Sequence, residues 1–188
     1  MSPLKLLCAM LVVASVGLCV PAAGFGDDER SSRCGEVFQP PGAATEHQLR
    51  TSVLCLVNAA RERNGIEPLE FNLALRKSAE AHSISMVRSG ILSHYGPSGS
   101  TPTSRVAHSG YLGRMSSFRV AENIGAGRGQ EYGSPMSIMR MWMGSALHRQ
   151  NILDSGLRDF GVGVSYGDPL GGGRDAATYT LVFGVRSR

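Results

Sequence analysis

Two segments near the C-terminus constrain the fold of this chain more than any other feature. Residues 161–166 alternate small and β-branched side chains, and residues 178–185 read T-Y-T-L-V-F-G-V. The connection between them, residues 167–177, is rich in glycine. Two strand patterns joined in this way predict an antiparallel hairpin. The chain therefore contains a β-sheet, and its other elements have to pack against that sheet.

Three helical patterns precede the hairpin. The first predicted helix begins after a capping box at Thr45. This helix ends at residues 64–65. The second is predicted over residues 72–90, with an asparagine cap and a glycine stop. The third begins at Ser134, which is followed by a proline, and it carries Trp142 toward the interior.

The segment between the second and third helices has little regular pattern. Residues 93–118 are rich in serine, glycine and proline, and we predict a loop with one helical turn near residues 104–108. A loop of this length is often functional. A short strand is predicted near Val120. Helices combined with these strands indicate an α+β domain built in layers, which we place at residues 45–188.

The N-terminus has the pattern of a secretory signal peptide over residues 1–23. Lys5 supplies the positive start, residues 6–20 are almost wholly apolar, and small residues follow at positions 22–24. The apolar run of about 15 residues is shorter than the roughly 20 that a membrane-spanning helix requires. We therefore expect a protein that is secreted, either extracellular or held at the cell envelope, with no transmembrane segment after cleavage.

Two of the four cysteines, Cys8 and Cys19, lie within the predicted signal peptide. The mature chain keeps two cysteines, Cys34 and Cys55. An even number of cysteines in an oxidising compartment predicts a disulfide bond. That bond would join an N-terminal tail, residues 24–44, to the first helix.

The charge pattern excludes one class of partner. The formal net charge is +4, and it falls to +3 when Lys5 leaves with the signal peptide. The basic residues are scattered and are not interleaved with aromatic residues, so no nucleic-acid surface is indicated. Lys77 is the only lysine that remains, and attraction to an anionic cell surface would be unspecific.

Three titratable residues interrupt or end apolar segments, and we expect them to meet in one site. Glu122 interrupts V-A-E-N-I, and a carboxylate in such a segment usually has a partner. His94 lies where the chain enters the long loop, and His148 ends the helix of Trp142. A structural alternative stays open for both histidines. His94 can simply be exposed, and an imidazolium at a helix C-terminus is favoured by the helix dipole.

Several chemistries are compatible with such a cluster. Two histidines and a carboxylate can hold a divalent metal with a bound water, or act as a general acid and base. Ser145, on the same helix face as His148, can hydrogen-bond into the cluster, but the G-x-S-x-G turn of serine hydrolases is absent. His82 shares a stripe with apolar residues, which favours a satisfied core histidine.

An ordered set of segments resembles one family of secreted proteins. The matching segments are L-V-N-A-A-R at 56–61, A-H-S-I-S-M at 81–86, S-H at 93–94, A-E-N-I at 121–124, W-M-G-S-A-L-H-R-Q-N-I-L at 142–153, G-V-G-V at 161–164 and V-F-G at 182–184. The chain resembles the CAP superfamily of cysteine-rich secretory, antigen 5 and pathogenesis-related 1 proteins, and in particular its short bacterial secreted branch.

The resemblance implies a three-layer α-β-α sandwich with a central antiparallel sheet and a cleft that bears two histidines and two acidic residues. His94, Glu122 and His148 match three of these residues, whereas Ser145 stands at the position of the second glutamate. A single carboxylate lowers the expected affinity for calcium or magnesium. Zinc held by His94 and His148 remains the metal to consider as a cofactor.

The resemblance leaves three functions open. The first is a secreted protein, expected to be a monomer, that binds a small ligand, a lipid or a cell-envelope component in the cleft, with a metal as an optional aid. The second is a hydrolase that uses a metal-bound or histidine-activated water. The third is an interaction module in which the cluster only braces the fold. No catalytic residue is assigned, and a binding protein is favoured over an enzyme.

Overall fold

A computed structural model describes residues 31, 33–113, 117–171 and 173–187 of the chain. The predicted signal peptide, residues 1–23, lies outside the described residues, as does the first part of the predicted tail. No helix in the described ranges combines the length and the apolar character that crossing a membrane requires.

Six α-helices and four strands are mixed along the described part of the chain. The α-helices are α1 (Glu46–Arg63), α2 (Leu73–Ser89), α3 (Pro102–His108), α4 (Gly129–Gly133), α5 (Pro135–Gly144) and α6 (Ala146–Ile152). The strands are β1 (Glu70–Phe71), β2 (Ser117–Arg128), β3 (Asp159–Tyr166) and β4 (Ala176–Ser187). A short 3₁₀ turn lies at Pro97–Gly99 in the loop between α2 and α3.

The strands form one sheet in the order β1-β3-β4-β2. The predicted hairpin is confirmed, because β3 and β4 pair antiparallel. The predicted strand near Val120 is also confirmed and is longer than expected, since β2 pairs antiparallel with β4 over its whole length. The two-residue β1 adds a parallel pairing at the edge beside β3. The other edge of the sheet is β2.

Side chains alternate between the two faces of β4, and each face is covered by helices. Tyr179, Leu181 and Phe183 belong to a large core that includes the apolar stripe of α1 and the buried side chains of α5. Val182 points the other way, into a smaller core with Leu75 of α2. The structure is therefore the α-β-α sandwich that was predicted.

Local capping signals account for the helix boundaries. Thr45 and Gln48 form the predicted capping box at the start of α1. The side chain of Asn72 accepts two backbone N–H groups at the start of α2, and Gly90 ends that helix in the left-handed region at φ 69°. Ser134 caps α5. Each predicted boundary of this kind is confirmed, because a cap satisfies orphaned backbone groups within a few residues.

Helix α2 lies directly on β3 because two residues of that strand have no side chain. A Cβ atom added at Gly161 would lie 2.2 Å from the backbone nitrogen of Arg76, and one added at Gly163 would lie 2.2 Å from the carbonyl carbon of Ala79. These distances are far shorter than any van der Waals contact. Glycine therefore permits the approach that sets the height of α2 above the sheet.

A buried arginine holds the segment that follows α6. Arg61 of α1 is fully buried, and its Nε donates to the carbonyl oxygen of Glu67 at 2.8 Å. Its Nη1 donates to the carbonyl oxygens of Ile152 and Asp154 at 2.8 and 3.0 Å. The bond to Ile152 satisfies a carbonyl group at the end of α6, where the helix itself supplies no donor. These bonds also anchor the helix that carries His148.

The predicted disulfide bond is confirmed. Cys34 and Cys55 are joined, with 5.4 Å between their Cα atoms. The bond ties the N-terminal segment to α1, and Cys34 packs into the large core. A covalent link of this kind stabilises the fold mainly by restricting the unfolded chain.

We predict that Gly163→Ala lowers the free energy of unfolding by about 3 kcal/mol, since the added methyl group meets helix backbone that cannot move aside. Gly144→Ala is the matched control, because no heavy atom lies within 4 Å of its added Cβ. Its stability should stay within about 0.5 kcal/mol of the parent. Chemical denaturation measures both variants. Equal stability of the two would contradict the proposed close approach of α2 to the sheet.

Candidate functional site

The site is built around Glu122, in the middle of β2. Glu122 lies directly opposite Val182 of β4, and opposed residues of an antiparallel pair share a face. The carboxylate therefore points to the α2 side of the sheet. Its side chain is only 2% exposed. A buried carboxylate is costly unless it is paired and hydrogen-bonded.

Arg105 supplies the positive charge that pairs with this carboxylate. Its Nη2 donates to Oε2 of Glu122 at 2.8 Å and to Oε1 at 3.1 Å. The same guanidinium donates to the carbonyl oxygens of His94 and Ser100 at 3.0 and 2.9 Å. Arg105 lies in α3, which begins at a capping box formed by Thr101. The ion pair and the loop that surrounds it are thus held by one side chain.

His94 is oriented by the same carboxylate. Its Nδ1 lies 2.9 Å from Oε1 of Glu122, and a carboxylate paired with a guanidinium only accepts, so Nδ1 is the donor. In the neutral imidazole the other nitrogen, Nε2, keeps its lone pair. The His94 side chain is 45% exposed. The pair therefore presents an imidazole nitrogen as a base or ligand on a buried carboxylate support.

His82 lies beneath this pair. Its side chain is 1% exposed, and its Nε2 lies 2.9 Å from the carbonyl oxygen of Ser93. A carbonyl only accepts, so Nε2 carries the proton, and it also lies 3.7 Å from Oε1 of Glu122. Nδ1 is buried and has no hydrogen-bond partner among the described residues. The histidine is buried as predicted, but it is only half satisfied and it contacts the site.

The predicted helix around Trp142 is wrong at its C-terminal end. Helix α5 ends at Gly144, and Ser145 has extended backbone angles of φ −95° and ψ 125°. His148 therefore lies in the middle of a second helix, α6, and not at the C-terminus of the first. Ser145 precedes α6 as its N-cap and does not share a helix face with His148.

A network of amides attaches α6 to β2. The Nδ2 atom of Asn123 donates to the carbonyl oxygen of His148 at 3.0 Å, and Asn151 donates to Oδ1 of Asn123 at 2.9 Å. Asn123 follows Glu122 in the strand, so it points to the opposite face of the sheet. Helix α6 is thus attached to β2 through a residue that faces away from Glu122. Since β2 is the edge strand of the sheet, α6 lies at the margin of the site.

His148 is close to His94 but does not touch the carboxylate. Burial lowers the pKa of His148, and the charge of nearby His94 lowers this pKa further. Its Nδ1 is buried and lacks a hydrogen-bond partner in the described ranges. No hydrogen bond or ion pair joins His148 to Glu122, and the hydroxyl of Ser145 makes none to the cluster, within the part of the chain that the structure describes. The structure thus brings His94 and Glu122 together, with His148 beside them.

Sequence reasoning missed Arg105. One signal was available, because a buried carboxylate requires a cation and Arg105 lies in the helical turn that was predicted inside the loop. Arg114 of the same loop carries the same charge, so the signal did not select between them. The contact of His82 with the site was missed for a different reason. The apolar stripe of α2 correctly indicated that His82 is buried. It gave no information about the contact of His82 with Glu122 on β2.

The donor atoms do not match a resident zinc ion. Open zinc sites have three protein ligands, whereas His94 and His148 offer two imidazoles here. Both oxygens of Glu122 already accept hydrogen bonds from Arg105. Across the described residues, no group of three or more histidine, cysteine or acidic side chains is arranged to hold a metal ion. Zinc binding by the two histidines stays a prediction, and no step is derived through it.

Comparisons with known proteins agree with this architecture. The sequence model of the cysteine-rich secretory protein family, CAP, matches residues 54–183. The uncharacterized protein YkwD of Bacillus subtilis is 34% identical over 112 residues, which are 59% of this chain and 40% of that protein. The chain thus spans well under half the length of this relative.

Solved structures that are similar to the chain include an extracellular protein and an outer surface protein. An extracellular protein containing an SCP domain from Bacillus anthracis has a TM-score of 0.58 and 22% identity, covering 74% of this chain and 43% of that one. An outer surface protein of Borrelia burgdorferi has a TM-score of 0.58 and 17% identity, covering 72% of this chain and 90% of that one. At these identities the likeness shows the fold alone.

The ion pair at the site gives a prediction for a double-mutant cycle. Arg105→Gln should cost about 3–5 kcal/mol of stability, because it leaves the charge of Glu122 buried and unpaired. Adding Glu122→Gln should recover part of that loss, since the double variant holds no unpaired charge. Denaturant unfolding of the four proteins measures the coupling. Strictly additive losses would show that the two side chains do not stabilise each other.

The buried histidines predict a loss of stability in acid. Burial is the main cause that lowers the pKa of His82 in the folded chain below the ordinary value of 6.5. As the pH falls through about 6.5, the unfolded chain binds a proton that the folded chain does not, so stability declines. His82→Gln keeps a donor for the Ser93 carbonyl and should flatten this decline. His47→Gln, at an exposed position of α1, should not. Melting curves between pH 5 and pH 8 measure all three proteins, and identical pH profiles would contradict the assignment.

Proposed function

The chain belongs to the cysteine-rich secretory protein family, and from this premise we propose that it is an extracellular protein that binds a small ligand or lipid beside His94, Glu122 and His148. The observation that carries the proposal is the hydrogen bond between His94 and Glu122. It orients an imidazole whose outer part stays exposed, on a carboxylate that is itself held by Arg105.

Three observations support an extracellular location. The signal-peptide pattern over residues 1–23 predicts export. The disulfide between Cys34 and Cys55 is of a kind that persists in oxidising compartments. Two structural neighbours are described as an extracellular protein and an outer surface protein. Binding at the cell envelope is compatible with the same observations.

Binding is favoured over hydrolysis by the state of the carboxylate and by the absence of a prepared nucleophile. Both carboxylate oxygens of Glu122 accept hydrogen bonds from Arg105, so this carboxylate is engaged in supporting His94. Ser145 makes no hydrogen bond to a base within the described residues. The hydrolase alternative rests on one specific observation, the oriented Nε2 of His94, which has the geometry of a general base.

The proposal predicts a bound molecule that depends on His94. Protein exported by its own host and examined by native mass spectrometry should carry an additional mass. The fraction of protein that carries this mass should fall at least about tenfold in His94→Ala, because a ligand held at the imidazole loses its main polar contact. His47→Ala, at an exposed position of α1, is the matched control and should retain it. Equal occupancy in the three proteins, or no bound mass in any, would contradict binding at this site.

Two further measurements separate the alternatives. Titration with zinc chloride by calorimetry should give heat in the parent that is lost in His94→Ala if the metal contributes; equal or absent heats remove that role. Hydrolysis requires turnover that disappears in Glu122→Gln while the variant stays folded. If neither metal nor turnover is found and no mass is bound, the cluster acts only as a brace, as in an interaction module.

A further inference from the structure

A groove between α2 and α3 shares Arg105 with the site described above. It has a volume of about 380 Å³ and opens between one face of each helix. Its lining includes Lys77 and Ser78 from α2, and Arg105 and His108 from α3. His94, Glu122, Ser145 and His148 do not line it, so the groove and the site meet at Arg105.

The charged side chains that line the groove, Lys77 and Arg105, are basic; the charge of Arg105 is balanced by Glu122, so Lys77 supplies the uncompensated charge. Lys77 is the only lysine beyond residue 5, and it lies here together with Arg105 and His108. The other described residues that line the groove are serines and one alanine, and none is acidic. An anionic group in the groove would therefore meet cationic and hydroxyl donors without facing a lining carboxylate.

Two buried donors in the wall of the groove have no hydrogen-bond partner among the residues that the structure describes. The hydroxyl of Ser78 is unbonded in a residue that is 5% exposed. The Nε of Arg105 is buried and unbonded as well, although both of its Nη atoms donate to protein oxygens. An unsatisfied buried donor costs about 1–3 kcal/mol. An oxygen-rich ligand in the groove would satisfy donors of this kind.

We propose that this groove binds a small oxyanion, namely the phosphate or carboxylate group of a soluble ligand, through Lys77, Ser78 and Arg105. His108 stands at its rim with Nδ1 bonded to the carbonyl oxygen of Ser104, so Nε2 is the nitrogen that a ligand can reach. Phosphate and carboxylate oxygens are acceptors that form short, charge-assisted bonds with such donors. This inference does not depend on the function proposed for the His94 site.

Amide NMR spectra during titration with sodium phosphate test the proposal, with sodium acetate as a second probe and the ionic strength held constant. We expect saturable shifts at the amides of Ser78 and Ser109. Lys77→Met and Ser78→Ala should each raise the dissociation constant at least about fivefold. Arg88→Gln removes the same charge from an exposed position of α2 outside the groove, and its dissociation constant should stay within about twofold.

Each outcome of this experiment bears on the proposal. Saturation by phosphate alone assigns a phosphate group, and saturation by acetate assigns a carboxylate. Shifts that stay linear with concentration would overturn the proposal, as would equal weakening in Arg88→Gln and Lys77→Met, which indicates unspecific charge attraction. Lys77 is exposed, so its variant stays informative even where Ser78→Ala perturbs the helix. His94→Ala should leave phosphate binding unchanged, which keeps this test separate from that of the His94 site.

Discussion

The contact between the α2 backbone and the glycines of β3 determines where the polar residues of the site can lie. Gly161 and Gly163 let the helix rest on the strand without intervening side chains. The contacts hold the first half and middle of α2 close to the sheet, and the loop after the helix starts from this fixed position. His82 and His94 come from these two segments, and both reach Glu122 on β2. A helix held higher by side chains would separate the imidazoles from the carboxylate.

The buried carboxylate explains the rest of the cluster. Glu122 is removed from water, so its charge has to be balanced by a nearby cation. Arg105 provides that cation, and its further bonds to the backbone of His94 and Ser100 tie the long loop to the strand. The loop is therefore ordered by the charge that it neutralises. With its oxygens held in this way, Glu122 serves to orient His94.

Features with local causes were predictable from the sequence, and features with distant causes were not. The capping box at Thr45, the glycine stop at Gly90 and the alternation in β4 act within a few residues, and the structure agrees with each. The break at Ser145 was missed because the apolar pattern continues across it, although Gly144 before it weakens a helix. The pairing of Arg105 with Glu122 spans 17 positions and depends on the tertiary fold. No local pattern encodes it.

The charge of the cluster limits the ligands that the site can favour. Glu122 and Arg105 together contribute −1 + 1 = 0, and protonation of the imidazoles of His82 and His148 adds only positive charge. A second carboxylate, which the resemblance would place at the position of Ser145, is missing, so no negative charge offsets this gain. Acidification therefore has two opposed effects on the molecule. It weakens the fold through the buried histidines, and it makes the site more attractive to anionic and electron-rich ligands.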